Sequence, residues 1–177
     1  MVVDNRYENH SENFFQESHN PIRILIADRY LVVSSGLRYE LEKYDNISVV
    51  GITNSGREAI DLALKLKPDL LVTDIALLDL NGMQVTRRLQ NQYSSPKEST
   101  RVLAFSEQCD KHHVWGMLVA GAIGYILKNE PISSLIESVK LAARGQTTLS
   151  LPIQKILIEL IPALNQTLSN REKDVMS

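Results

Sequence analysis

The chain is poor in the residues on which several kinds of chemistry depend. It holds one cysteine in 177 residues, Cys109, so no internal disulfide can form, and a reducing, cytoplasmic setting is the expectation. Its neighbours Gln108, Asp110 and Lys111 put that thiol in a partly exposed loop with no reactive role. No apolar run approaches the ~20 residues needed to cross a bilayer, so no membrane contact is expected. The N-terminus mixes polar residues with charges of both signs and lacks the apolar centre of a secretion signal. Glycine is scarce where nucleotides would need it. ADRYLVVSSG, residues 27–36, has a single glycine and no GKS or GKT ending, which disfavours a P-loop or dinucleotide-binding enzyme. Of the four histidines, His10 and His19 lie near the N-terminus, while His112 and His113 are adjacent and have no third ligand for zinc. A net charge of -2 gives no field that would draw the chain to nucleic acid or an anionic membrane.

What is present is a run of strand and helix signals. The composition, 44% hydrophobic and 23% charged, supports one core of ordinary size. Residues 1–21 are polar and aperiodic and read as a disordered tail. IRILIA (Ile22–Ala27), ISVVGI (Ile47–Ile52), DLLVTD (Asp69–Asp74), RVLAFSE (Arg101–Glu107) and AIGYILK (Ala122–Lys128) are short apolar strands. Between them lie segments with apolar residues three to four apart, such as Ala59/Ile60, Ala63/Leu64 and Leu66. Gly82 starts a helix through Leu89, SSPKES (94–99) is a loop, and Pro131 sits in the first turn of the helix ISSLIESVKLAAR. Strands alternating with helices, and apolar along nearly their whole length, predict a parallel sheet covered on both faces. Five such units are too few for a closed barrel, so residues 22–144 are predicted to form an open, doubly wound α/β domain. Gly145 ends that domain, and residues 145–167 read as a linker containing a short helix or connector at Ile153–Ile161. Ser169 and Glu172 have the spacing of a capping box, so a further element starts near residue 168.

Ligands of open α/β sheets sit beyond the carboxyl ends of the strands. Those ends carry Asp28, Asp74, Ser106 and Lys128. Each residue alone has an ordinary reading as a turn former, helix cap, loop serine or solvent-facing lysine. Together, two carboxylates, a hydroxyl and an ammonium match phosphoryl chemistry. A carboxylate can attack phosphorus, oxygen ligands can hold a hard dication, and a lysine can pair with a phosphoryl oxygen.

These residues stand in stretches that resemble the receiver domain of two-component response regulators, of the NarL/FixJ type, over roughly residues 22–144. The matching stretches are IRILIAD (22–28), DLLVTDIALLDLNGMQV (69–85), RVLAFS (101–106) and GAIGYILKN (121–129). LSNREKDVM (168–176) resembles the opening of a LuxR-type helix-turn-helix domain. The resemblance implies a flavodoxin-like fold of five strands in the order 2-1-3-4-5, the arrangement for which this fold type is known. It makes Asp74 the phosphate-accepting aspartate, fed by a histidine kinase, and Asp28 the first residue of the acidic pair that holds Mg²⁺. The Ala76 backbone carbonyl falls at the third protein ligand. Ser106 matches the switch hydroxyl, Lys128 the lysine that contacts the phosphoryl group, and Tyr125 the aromatic that turns inward on activation. A tyrosine there also packs well against a sheet edge on purely structural grounds.

Two positions depart from the family pattern. Arg29 stands where the second acidic residue belongs, and Leu78 replaces a proline. Losing a carboxylate and gaining a cation weakens a site for an ion that demands oxygen ligands, so weak or absent Mg²⁺ is expected. Arg29 either folds over Asp74 or Asp28 in place of the metal, or swings outward and leaves weak binding through Asp28, Asp74 and Ala76. The expectation is a regulator, not an enzyme, with impaired phosphoryl acceptance, acting as a homodimer and reaching DNA only through a further C-terminal domain. The alternative is a phosphorylation-independent interaction module. The outer sides of the fourth helix (Trp115, Met117, Val119) and fifth helix (Ile132, Leu135, Val139) are candidate dimer faces, with core packing as the competing use.

Overall fold

Two apolar residues in succession on a strand point to opposite faces of a sheet, so a strand buried on both sides needs them at nearly every position. The computed structural model describes residues 20–92 and 99–160 and shows this arrangement. In β1 (Ile22–Ala27), Ile24 and Ile26 enter one core while Leu25 and Ala27 enter the other. The remaining strands are β2 (Ile47–Thr53), β3 (Leu70–Thr73), β4 (Arg101–Ser106), β5 (Gly124–Leu127) and β6 (Thr148–Leu149). All neighbouring pairs are parallel, in the order β2-β1-β3-β4-β5-β6. The order 2-1-3-4-5 is thus present, with a short sixth strand added at the edge.

Helices α1 (Leu31–Leu41) and α5 (Ile132–Ala143) cover one face through Leu37, Leu41, Leu135, Ile136, Val139 and Ala142. Helices α2 (Gly56–Leu66), α3 (Gly82–Gln92) and α4 (Lys111–Val119) cover the other, through Ala59, Ala63, Val85, Leu89, Val114 and Met117. Met117, Leu135 and Val139 are therefore core residues, and only Trp115, Val119 and Ile132 of the candidate dimer faces are exposed. Pro131 is the N-cap of α5, one position before the first turn in which the sequence placed it, and its extended ψ of 142° suits the residue that leads into a helix.

Gly145, at φ 80°, ends α5 in the left-handed conformation that glycine adopts readily. It ends the helix without ending the sheet. The stretch read as a linker pairs Thr148 with Gly124 and Leu149 with Tyr125, and the Thr148 hydroxyl bonds to Ser138 of α5 at 2.9 Å. A further helix, α6, covers residues 151–160. Its Ile153 is fully buried against the core of α2, α3 and α4, and Ile156 and Leu157 pack beside it. A Lys111–Glu159 ion pair of 3.1 Å ties its far end to the start of α4. Residues 1–19, 93–98 and 161–177, which include most of the expected tail, most of the stretch read as a loop, and Ser169 and Glu172, lie outside the described residues. Among the described residues, no helix is long and apolar enough to cross a membrane.

Candidate functional site

Because β1, β3, β4 and β5 are neighbours, their carboxyl ends converge on one spot. Asp28 and Asp74 each sit one residue past a strand, and their backbone amides continue the ladder to Thr53 (3.0 Å) and Ala27 (2.8 Å). Ser106 closes β4, and Lys128 follows β5 with its amide on the Ser106 carbonyl at 3.0 Å. All four residues picked from strand ends are brought together. Asp28 and Ser106 are almost fully buried, and Asp74 is 6% exposed.

Lys128 is the centre of the constellation. Its ammonium lies 2.5 Å from Asp28 Oδ2 and 2.8 Å from Asp74 Oδ2. Burial alone would push its pKa down, but the hydrogen bonds and charges of Asp28 and Asp74 outweigh that and raise it. The other carboxylate oxygens are also engaged. Asp74 Oδ1 accepts the Ser106 hydroxyl and the Ile75 amide, each at 2.6 Å, and Asp28 Oδ1 accepts the Tyr30 amide at 2.8 Å. Tyr125 is fully buried, with its hydroxyl donating to the Gln108 carbonyl at 2.5 Å, and burial raises its pKa. Ala76 is half-buried in the loop after β3, close in sequence to Asp74, and Leu78 is 59% exposed.

Arg29 takes the outward of its two expected orientations. It is exposed, with its guanidinium 6.0 Å from the centroid of the Tyr30 ring. No ion pair joins it to Asp28 or Asp74, so it does not fold over the carboxylates.

Asp79 is a structural support of the site that the sequence reading missed. Its carboxylate accepts the amides of Gly56 (2.6 Å), Leu80 (2.9 Å) and Arg57 (3.3 Å) and the Ser55 hydroxyl (3.0 Å). It thereby fastens the loop after Asp74 to the N-terminus of α2, where a negative charge is favoured. A signal for this exists in the sequence. Asn81 and Gln84 cap α3 reciprocally, which leaves the aspartate two residues earlier free to cap something else. Desolvation opposes its charge, but the amides of Leu80, Gly56 and Arg57 and the Ser55 hydroxyl hold its pKa at about 2, below the ordinary 3.8. A carboxylate depressed in the folded state stabilises above its unfolded pKa and loses that contribution as pH falls through the folded one. Asp79→Ala is therefore expected to lower the urea midpoint at neutral pH. The gap to the native protein should narrow as pH falls from 3.8 towards about 2. A gap unchanged across that window would refute the assignment.

Gly82 explains how α3 packs so closely behind Asp74. A Cβ there would lie 2.5 Å from the Asp74 carbonyl oxygen, a backbone atom that cannot give way locally. Glycine at this position lets the first turn of α3 press against the loop that carries the Asp74 carboxylate.

Comparison with known proteins agrees with this fold. The family profile described as the response regulator receiver domain matches residues 24–140. The response regulator GacA of Pseudomonas viridiflava is 30% identical over 157 residues, covering 85% of this chain and 72% of that protein. The nitrate/nitrite response regulator protein NarL of Escherichia coli is 28% identical over 163 residues, covering 88% of this chain and 74% of that protein. In fold, the chain matches a crystal structure of a LuxR-family two-component response regulator from an Aurantimonas species. The TM-score is 0.73 at 24% identity, covering 79% of this chain and 97% of that one. The fold, the converging strand ends and these matches place the chain in the response regulator receiver-domain family, as the receiver domain of a two-component regulator of the NarL/LuxR type.

Proposed function

We propose that this protein is the signal-receiving part of a transcription regulator whose acceptor, Asp74, takes phosphoryl poorly because its pocket holds Mg²⁺ weakly or not at all. Receiver domains generally bind Mg²⁺. The donor set here fits that ion badly. One of the usual carboxylates is replaced by Arg29, and one oxygen of each of Asp28 and Asp74 is paired with an ammonium while the other accepts hydrogen bonds. The Ala76 carbonyl is the remaining candidate ligand. The observation that carries the reading is this Lys128 bridge between two buried carboxylates, beside a position that has lost its acid.

In this reading Asp74 is the acceptor, Ser106 and Lys128 contact the phosphoryl oxygens, and Tyr125 reports the state of the pocket to the α4 face. A charge added at Asp74 would compete for the Ser106 and Lys128 contacts, a local change that a neighbouring helix can read. A histidine kinase is the donor, a second copy is the partner in the active form, and DNA is reached through the element that starts at residues 168–177. Labelled acetyl phosphate with Mg²⁺ tests the proposal. The native protein should take up far less than one equivalent, and Asp74→Asn none. Stoichiometric labelling of the native protein would overturn the weakened pocket, and label retained by Asp74→Asn would overturn the acceptor.

A second reading has its own support. The Ser106 hydroxyl already bonds to Asp74, and Tyr125 is already inward, as the resemblance would require of an activated receiver. A phosphorylation-independent interaction module would show this arrangement permanently. Under that reading, Asp74→Asn should leave self-association in sedimentation unchanged, whereas under the first reading it removes any increase caused by acetyl phosphate.

A further inference from the structure

We propose that the residues preceding β1 fold back into a cavity at the amino-terminal edge of the sheet, with Phe14 and Phe15 as the apolar anchor and Glu17 as the charged one. This cavity lies at the opposite end of the strands from Asp28 and Asp74, so the inference stands apart from the phosphoryl reading.

The cavity has a volume of about 620 Å³, a size that holds an aromatic group or a small ligand. Its walls come from separate parts of the chain: Pro21 and Ile22 at the start of β1, Asn46 before β2, Asp69 before β3, and Ala143 and Arg144 at the end of α5. Those walls are held in place without an occupant. The Ile22 amide donates to the Asn46 carbonyl and the Arg23 amide to Asp69 Oδ2, each at 2.8 Å, while the Arg23 guanidinium donates to the Lys67 carbonyl at 2.9 Å. A surface fixed beforehand lowers the ordering cost of binding. Ile22 and Ala143 are only half-buried, so an apolar group placed against them would remove further apolar surface from water.

Connectivity and charge together name the occupant. Asn20 lines the cavity, so residues 1–19 join the fold at its rim. Phe14 and Phe15 are the one aromatic pair among them and precede Asn20 by six and five residues. A stretch of that length spans up to ~20 Å, enough for a reverse turn and a return to the cavity. Ser18 and the dipeptide Asn20-Pro21 have the chemistry of turn formers. Residues 1–19 also carry Asp4, Glu8, Glu12 and Glu17 against Arg6. The cavity presents Arg23 and Arg144 against Asp69, and the Arg101 guanidinium comes within 3.6 Å of where a Cβ on Gly145 would stand. Arg144, the C-cap of α5, is exposed and forms no ion pair with the described residues. Glu17 is three residues, at most ~10 Å of chain, from Asn20 and is therefore the carboxylate best placed to meet it.

Cleavage of the full chain after Glu17 by a glutamate-specific protease tests the docking, with each rate divided by that of a free peptide of matching sequence. Phe14→Ser/Phe15→Ser should be cut at least about tenfold faster than the native chain, because cleavage follows the undocked population. Both residues precede β1 and lie ahead of the core, so the variant keeps the fold. Arg144→Glu, which leaves the cleaved sequence untouched, should speed cleavage at least about twofold, as for loss of a surface ion pair. A native chain cut as fast as the free peptide would overturn the proposal. Protection that grows with protein concentration would put the segment in a second copy and overturn it equally. Amide signals of Asn46 and Arg144 should shift between the native chain and Phe14→Ser/Phe15→Ser while those of Asp74 and Ser106 stay in place. Protection without shifts at Asn46 and Arg144 would mean that the segment docks elsewhere, and the cavity would lose its assignment.

Discussion

Lys128→Met is expected to lower folding stability by about 3–5 kcal/mol, the range found when one partner of a buried ion pair is removed. Methionine fills much the same volume, so the loss comes from charge and not from a cavity. Asp28 is 2% exposed and Asp74 6%, and without the ammonium neither has a countercharge inside the pocket. Asp74 keeps the Ser106 hydroxyl and the Ile75 amide, whereas Asp28 keeps only the Tyr30 amide. The strain should therefore fall mainly on Asp28. Urea unfolding at neutral pH measures it, and a loss below about 1 kcal/mol would show that the bridge is a weak surface-type pair. The double substitution Lys128→Met with Asp28→Asn should recover part of the loss, because the stranded charge is removed with its partner. Full additivity of the two single losses would contradict the bridge.

The same residues show how far sequence alone could reach. Asp28, Asp74, Ser106 and Lys128 were legible because a parallel sheet places all its strand ends on one side, so position in the pattern fixes position in space. The orientation of Arg29 was not legible. An exposed guanidinium is placed by solvent and by a neighbouring ring, here Tyr30, and neither leaves a periodic trace. Asp79 escaped for a different reason. Its partners belong to α2, 22 to 24 residues earlier in the chain, and a loop aspartate between other turn formers reads as one of them. The bridging role of Lys128 follows from two distances, and sequence spacing carries no distances between strands. The first five strands were found to within two residues at each end, since burial on both faces calls for a nearly unbroken apolar run. Their order came from resemblance, because periodicity is blind to which strand lies beside which.

Beyond Gly145 the short helix was legible in the sequence but the strand before it was not, and this edge carries the second large effect. Two residues, Thr148 and Leu149, cannot display a period, and the helix after them is apolar on more than one side. The structure sorts those apolar residues. Ile153 is fully buried in the core cluster that also holds Val114, Met117, Tyr125 and Leu127, whereas Ile158 is 65% exposed. Ile153→Ala should therefore destabilise the protein by about 2–5 kcal/mol, the range for truncating a fully buried isoleucine. Ile158→Ala should stay within about 0.5 kcal/mol of the native protein. Urea unfolding of both variants separates a helix that belongs to the core from a tether that merely follows it. Two equally small effects would return residues 145–160 to the role of a linker. The location of Ile153 adds a functional reading to the same measurement. It shares a cluster with Tyr125, whose hydroxyl holds the Gln108 carbonyl two residues after Ser106. Loosening α6 by Ile153→Ala should therefore also raise amide hydrogen exchange in the loop from Ser106 to Asp110, and an unchanged loop would confine the effect of α6 to stability.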